Sequence, residues 1–359
     1  MFNNVYKDKV VLLTGHTGFK GSWLAIWLNM LGAKVVGYSL DPYSDKGNFM
    51  ASKLQDKLLA DVRGDIRDQK KLNETIQKYQ PEIIFHLAAQ ALVKTAYNDP
   101  VETYETNTMG TVYVLEAVRH NACLKTAIMI TSDKCYENVE QMWGYKETDR
   151  MGGYDPYSAS KGAAELIISS YRNSYFNPKD YDKHSKAVAC VRAGNVIGGG
   201  DWSENRLIPD CIRFIESGQD IEIRNPIATR PWEHVLEPLS GYLRVGEKLL
   251  EDPITYATSF NFGPHISANK PVLEVVQRLA QYYGKGKVVN ASDPNAVHEN
   301  ILLNLDVTKA YVMLNWQAKW GLQDAVEKTV DWYQKALTSS DMYDFCVQQI
   351  QEHFDKVVN

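Results

Sequence analysis

Five residues of this 359-residue chain have the types and spacing for proton transfer to and from a hydroxyl group. Ser132, Asp133 and Lys134 stand together in "TSDKCYEN" (131–138), directly after the apolar run "TAIMI". Tyr157 and Lys161 lie at i and i+4 in "PYSASKGAAE" (156–165), which places them on one helical face. A phenol serves as a base for a hydroxyl only when its pKa falls toward neutrality, and a neighbouring ammonium favours that charged form. Ser132 adds a hydroxyl to the set. Each piece also has a plainer reading. The octet alone reads as a turn with solvated charges, and the Tyr157–Lys161 pair alone as a solvated helix face.

The surrounding pattern predicts elements that deliver these groups to one place. "KVVLLTG" (9–15) reads as a buried strand and "GSWLAIWLNMLG" (21–32) as a helix ending in Gly32. Further strands are expected at 34–40, 82–89, 126–132 and 186–196, with helices at 70–79, 106–120 and 158–176 between them. Apolar strands alternating with helices predict an α/β fold with a Rossmann-type doubly wound parallel sheet. After Val196 the texture becomes rich in Gly, Pro and Arg. A first domain is therefore expected over 1–196, with a returning segment at 233–262 that holds "EHVLEPLSGYLRVGEKLLE" and "TSFNFG". A smaller substrate-binding α/β domain is expected over 197–232 and 263–359, including a helix in 270–284.

"TGHTGFKG" (14–21) joins the first strand to the first helix with Gly15, Gly18 and Gly21 three apart. Such a turn lets backbone approach a pyrophosphate that rests on the helix N-terminus, with His16, Thr17, Phe19 and Lys20 completing the loop. The plain alternative is a glycine turn. Asp41, after the second strand, suits an adenosine ribose and disfavours a 2′-phosphate, which points to NAD; "LDPY" also reads as an Asp-Pro turn. Asp65 and Ile66 are placed for an adenine pocket, and Leu87, Ala88 and Ala89 in "HLAAQ" for the passing dinucleotide. The bulk of His16 and Phe19 predicts looser cofactor binding than an all-small loop.

Composition narrows the class. A net charge of −5 and a pI near 5.9 give no basic footprint for nucleic acid or a membrane surface. Five cysteines without a CxxC spacing argue against a disulfide framework and a zinc site, and no metal is expected. No run approaches the ~20 apolar residues of a membrane helix. A cytoplasmic protein is expected.

With "TGHTGFKGSWL", "HLAAQ", "ETNTMGT" (which holds Asn107), "TSDKCYEN", "YSASK", "RAGNVIGGGDW" and "RPWEHV", the chain resembles the extended short-chain dehydrogenase/reductase family. Within it the likeness is to the nucleotide-sugar 4,6-dehydratases, above all the branch acting on CDP-glucose. The resemblance implies an internal redox dehydration. Tyr157 takes the 4-hydroxyl proton as hydride leaves C4 for NAD⁺, the acidified C5 proton is removed, the protonated 6-hydroxyl departs, and hydride returns to C6. Asp133 and Lys134 take the family's second acid–base positions. Lys134 departs from the glutamate of the dTDP-glucose and GDP-mannose enzymes, and two roles stay open for it. It is the C5 base in a neutral form favoured by burial beside Lys161 and NAD⁺ and opposed by Asp133, or a cation that stabilises the enolate.

The resemblance also nominates Asn195, Arg206, Leu207, Arg230 and Asn261 for substrate, together with His298 and Glu299. Each arginine has the alternative of a surface ion pair. Paired long helices imply a homodimer or a homotetramer. Two rival functions remain: a nucleotide-sugar 4-epimerase, which needs no second acid–base pair, and a dinucleotide-sensing regulator, which needs no Tyr–Lys pair.

Overall fold

The computed structural model describes residues 1–291 and 302–358. Its centre is a seven-stranded sheet made from β1 (Val10–Thr14), β2 (Lys34–Ser39), β3 (Ala60–Arg63), β4 (Ile83–His86), β5 (Thr126–Ile130), β6 (Ala187–Ala193) and β7 (Ser259–Phe262). The order across the sheet is β7-β6-β5-β4-β1-β2-β3 and every pairing is parallel. Strand order reverses beside β1, the arrangement of a doubly wound sheet in which ligands meet the carboxyl ends of the strands.

Alternation along each strand builds two cores. Val11, Leu13, Ile83, Phe85, Ile128 and Ile130 face one side, where Trp23, Trp27 and Leu239 pack. Leu12, Ile84, Ala127, Met129 and Val188 face the other, against Val114, Leu115 and Ile168. A strand buried on both faces can be apolar at every position, which is why these segments read as continuous runs.

The helices follow the expected pattern with local shifts. α1 (Phe19–Met30) starts ahead of the expected residue 21 because extended Gly18 forms its N-cap, and Gly32 in the left-handed region closes the turn after it. α2 (Gln69–Tyr79) is capped by the Asp68 side chain, which accepts from the Lys71 N–H. The helix expected over 106–120 begins as a π-helical turn at Glu105–Met109 and continues as α3 (Gly110–His120). α4 (Pro156–Ser174) opens on Pro156 with Asp155 as its cap, and α5 (Leu207–Ser217) follows. The expected strand 186–196 stops at Ala193. Val196–Ile197 pairs instead with Glu233–His234, outside the main sheet. α6 (Leu236–Glu251) then packs under β5 and β6, and β7 adds an edge beside β6.

Candidate active site

The carboxyl end of β5 runs into one short 3-10 turn, Asp133–Cys135, which holds the acid-bearing residues. Ser132 Oγ caps this turn by accepting from the Lys134 N–H at 3.3 Å, and it hydrogen-bonds Asp133 Oδ1 at 2.9 Å. The start of α4 lies directly against the turn. At Gly162 an added Cβ would sit 2.6 Å from the Gly152 carbonyl oxygen and 3.2 Å from that of Cys135, so only a residue without one lets the helix come this near. Tyr157 and Lys161 are thereby brought to the Ser132 side, near enough for Ser132 to favour the charged form of the Tyr157 phenol.

Asn107 fixes this junction from behind. Its amide accepts from the Gln90 N–H, donates to the Gln90 carbonyl and donates to Ser160 Oγ, each at 2.9 Å. The π-helical turn at Glu105–Met109 carries Asn107, in keeping with the frequent placement of such turns at functional sites.

Burial dominates the electrostatics. Asp133 is 3% exposed, and burial raises its carboxyl above the usual range, opposed by Lys134, the Ser132 bond, Lys20 and Arg230. Its Oδ2 has no hydrogen-bond partner and lies beside Gly194. Burial pushes the Tyr157 phenol up to about 12, while Ser132 and Arg206 pull it down. This is the reverse of the lowering that hydroxyl chemistry asks for. Burial also brings Lys161 down to about 8.

The glycine loop fits a dinucleotide. Gly15 has φ +77°, and a Cβ there would meet the Ala88 nitrogen at 2.8 Å; one at Gly21 would lie 2.0 Å from the Gly15 carbonyl oxygen. Thr14 Oγ1 accepts from the N–H groups of Leu87 and Ala88, which holds the "HLAAQ" segment beside the loop. Thr17 Oγ1 donates to the Leu40 carbonyl at the end of β2. No side chain caps α1, so its first-turn N–H groups suit a pyrophosphate. Asp41 is exposed, 3.5 Å from Arg63 Nε. Asp65 binds Arg67 at 2.6 Å, next to buried Ile66.

Two expectations about side chains in this loop are corrected. His16 does not crowd the cofactor side: it is fully buried beneath Gly37, with Nε2 2.8 Å from Asp61 Oδ1. Phe19 is likewise spent on packing beside Gly198. Lys20, expected only as part of the loop, sends its side chain inward. Burial lowers its ammonium to about 8, and it interacts with Glu233, Arg206, Asp133 and Asp201.

The substrate candidates divide. Arg206 pairs with Asp201 at 3.1 Å and acts on Tyr157, while Arg230 acts on Asp133 and donates to the Thr229 carbonyl. Both therefore bear electrostatically on the catalytic cluster. Leu207 opens α5 beside Arg206, and the Asn195 carbonyl accepts from the Glu233 N–H at 3.2 Å. Asn261 does not fit its expected substrate role. It is fully buried; its Oδ1 accepts from the Tyr136 hydroxyl at 2.8 Å, and its Nδ2 donates to the carbonyls of Tyr145 and Asp306. Those bonds commit the amide to the scaffold. His298 and Glu299 lie outside the described residues.

Sequence reasoning missed Glu233. It is fully buried, both carboxylate oxygens lack a partner, and burial raises its carboxyl well above the usual range, with Lys20 opposing. The available signal was a charged residue between Trp232 and Val235 in a segment otherwise apolar enough to be buried.

Residues 12–329 match the family described as GDP-mannose 4,6 dehydratase. The chain belongs to that family. Among curated relatives of this GDP-mannose 4,6 dehydratase family member, a CDP-glucose 4,6-dehydratase of Salmonella typhimurium is 46% identical over 350 residues, covering 98% of this chain and 97% of its own. A UDP-glucose 4-epimerase of Rhizobium leguminosarum is 26% identical, covering 76% and 84%. The fold recurs in a dTDP-glucose 4,6-dehydratase of Bacillus anthracis solved in complex with NAD, with TM-score 0.74 and 22% identity over 91% of this chain and 97% of that one. It recurs again in a UDP-glucose 4-epimerase of Brucella ovis solved with NAD, with TM-score 0.74 and 22% identity over 90% and 98%.

Proposed function

We propose that this enzyme is an NAD-dependent CDP-glucose 4,6-dehydratase, a hydro-lyase that converts CDP-glucose to CDP-4-keto-6-deoxyglucose. The observation that carries the reading is the buried, proton-favouring carboxyl of Asp133 hydrogen-bonded to the same Ser132 that favours the charged form of Tyr157. An epimerase uses the Tyr157 side of this arrangement and has no task for a buried acid beside it. The 46% identical relative carries the dehydratase name and supports the choice of nucleotide.

NAD bound on the glycine loop supplies a reversible hydride acceptor beside the sugar. Tyr157 removes the 4-hydroxyl proton, helped by Ser132 and by the positive charges of Lys161 and Arg206. Asp133, whose burial favours the protonated form, gives its proton to the departing 6-hydroxyl through Oδ2. Lys134, on the same turn, meets the C5 side. Arg206 and Arg230 hold the pyrophosphate, and a guanidinium fork suits bidentate contact with it. The nucleotide-sugar domain comprises 197–232 and 263–359, closing on the dinucleotide domain of 1–196 with 233–262.

A homodimer or homotetramer through α3 and α4 completes the proposal. Val101 is 65% exposed, Met109 40% and Leu166 62%, a set of apolar side chains on the outer surface around these helices.

Incubation with CDP-, dTDP-, UDP- and GDP-hexoses and NAD⁺ tests the function. Loss of water from CDP-glucose, giving a 4-keto-6-deoxy product, is expected. Inversion at C4 with no loss of water would establish the epimerase instead.

A further inference from the structure

We propose that Arg63 is a receptor for the 2′-phosphate of an adenosine dinucleotide, kept closed by Asp41, and that this ion pair decides between NAD and NADP. The dinucleotide site alone carries this role, whichever sugar nucleotide the enzyme turns over. Arg63 is the last residue of β3 and lies in register with Ser39, the last of β2. In a doubly wound fold the end of β2 meets the adenosine ribose. An acid there takes the 2′-hydroxyl, and an arginine nearby accommodates a 2′-phosphate. This chain has both. Arg63 Nη1 donates to the Leu40 carbonyl at 3.3 Å, the same oxygen to which Thr17 of the glycine loop donates at 3.0 Å. The guanidinium therefore stands between the end of β2 and the loop suited to the pyrophosphate.

The guanidinium is fixed before any ligand arrives. Nη2 donates to Asp61 Oδ2 at 2.8 Å, and Asp61 is itself anchored through Oδ1 by His16 at 2.8 Å. The Phe49 ring lies against the guanidinium, its centroid 5.0 Å from the central carbon. An arginine has five N–H groups. Among the described residues, Leu40 and Asp61 take one each, and Asp41 Oδ1 stands 3.5 Å from Nε. One N–H remains on Nη1 and one on Nη2. The Asp41 contact is the one that yields: its side chain is 88% exposed, against 16% for Asp61. Charge then sets the preference. Burial raises the Asp61 carboxyl, yet His16 and Arg63 hold it below the usual range, so it stays ionised. Two carboxylates against one guanidinium leave this end of the sheet negative, which repels a phosphate. Without the Asp41 charge the balance is neutral, and the free N–H groups of Arg63 suit a phosphate oxygen pair.

The test is equilibrium binding of NAD⁺ and NADP⁺ to the full-length protein by isothermal titration calorimetry at fixed ionic strength, read as the ratio of the two Kd values. The wild type is expected to prefer NAD⁺, and a preference for NADP⁺ overturns the closing role of Asp41. In Asp41→Asn, which keeps a hydrogen-bonding side chain for the ribose, the preference for NAD⁺ is expected to fall at least ~10-fold. That is the size of one hydrogen bond to a charged group. In Asp41→Asn combined with Arg63→Met, the preference is expected to return at least to its wild-type value. A ratio that Asp41→Asn leaves unmoved overturns the proposal. A fall that persists in the double variant overturns it too, because lost repulsion from Asp41 alone would then account for the change. Should the methionine variant unfold, Arg63→Gln in the same background gives the same reading, since its amide still donates to Asp61. Wild type that binds neither dinucleotide overturns the cofactor site itself. NAD⁺ binding with a preference blind to Arg63 overturns the receptor alone.

Discussion

Arg192 of β6 and Glu165 of α4 face each other as a buried ion pair, with Nη2 2.7 Å from Oε2 and each side chain 3% exposed. The pair joins the helix that carries Tyr157 and Lys161 to the central sheet. Arg192 Nε bonds Glu165 Oε1 at 2.7 Å as well, so the contact is a two-pronged fork. Burial works to raise the Glu165 carboxyl, yet Arg192 and the surrounding hydrogen bonds hold it below the usual range.

Glu165→Ala is expected to cost about 3–5 kcal/mol of stability, because it strands a buried guanidinium. Chemical denaturation checks the size. The sign with pH follows from the lowered carboxyl. Its contribution is present above the ordinary carboxylate value and is lost as pH falls through the lower folded value. The difference between wild type and variant should therefore shrink on strong acidification. A difference that grows toward acid would contradict this account.

Lys134→Met separates the two roles left open for that lysine. If Lys134 is the C5 base, the variant stops solvent deuterium from entering C5, while oxidation at C4 continues and is visible as NADH absorbance. Exchange at C5 that survives the substitution assigns Lys134 to charge stabilisation. Mass spectrometry of recovered substrate and product gives the answer.

Gly21→Ala forces its new methyl into the Gly15 carbonyl oxygen at 2.0 Å, so the loop must open. The wild type at 100 Kd of NAD⁺ gains about 2.7 kcal/mol of apparent stability by mass action. The variant is expected to lose most of that gain, read as a missing NAD⁺-dependent rise in Tm. A rise equal to that of the wild type would show that the dinucleotide does not rest on this loop.

Glu233→Gln should make thermal stability less sensitive to alkali. The folded state raises this buried carboxyl, so it binds its proton more tightly than the unfolded chain does. The stabilising contribution is complete below the ordinary carboxylate value and disappears as pH rises through the raised folded value. Glutamine has no such proton to lose. The variant's Tm is expected to exceed that of the wild type in alkaline buffer and to approach it in acid. Parallel Tm curves would show that Glu233 keeps its ordinary ionisation.

The sheet was readable because β1, β4, β5 and β6 are buried on both faces and appear as unbroken apolar runs. The glycine loop and the Tyr157–Lys161 spacing were readable because local geometry dictates them. What escaped was set by contacts distant in sequence. Nothing near His16 says that its ring turns under Gly37 to meet Asp61, and nothing near Lys20 announces Glu233 more than two hundred positions later. Asn261 read as a substrate ligand because its position resembles one, whereas Tyr136 and the carbonyls of Tyr145 and Asp306 decide where its amide goes. The end of β6 was overestimated for a similar reason. Val196 is as apolar as the strand before it, and only its pairing with Glu233 takes it out of the main sheet.

The late arrival of β7 bears on how the protein is made. Tyr136, which donates to Asn261 on that strand, also accepts from Arg192, the residue that anchors the catalytic helix. A nascent chain can emerge with Ser132, Tyr157 and Lys161 already synthesised and still lack the edge that locks them. Translation must run through Phe262 before the site can set. Until then the exposed edge of β6 is open to other chains, so the interval between the two strands is where a chaperone would have most to protect.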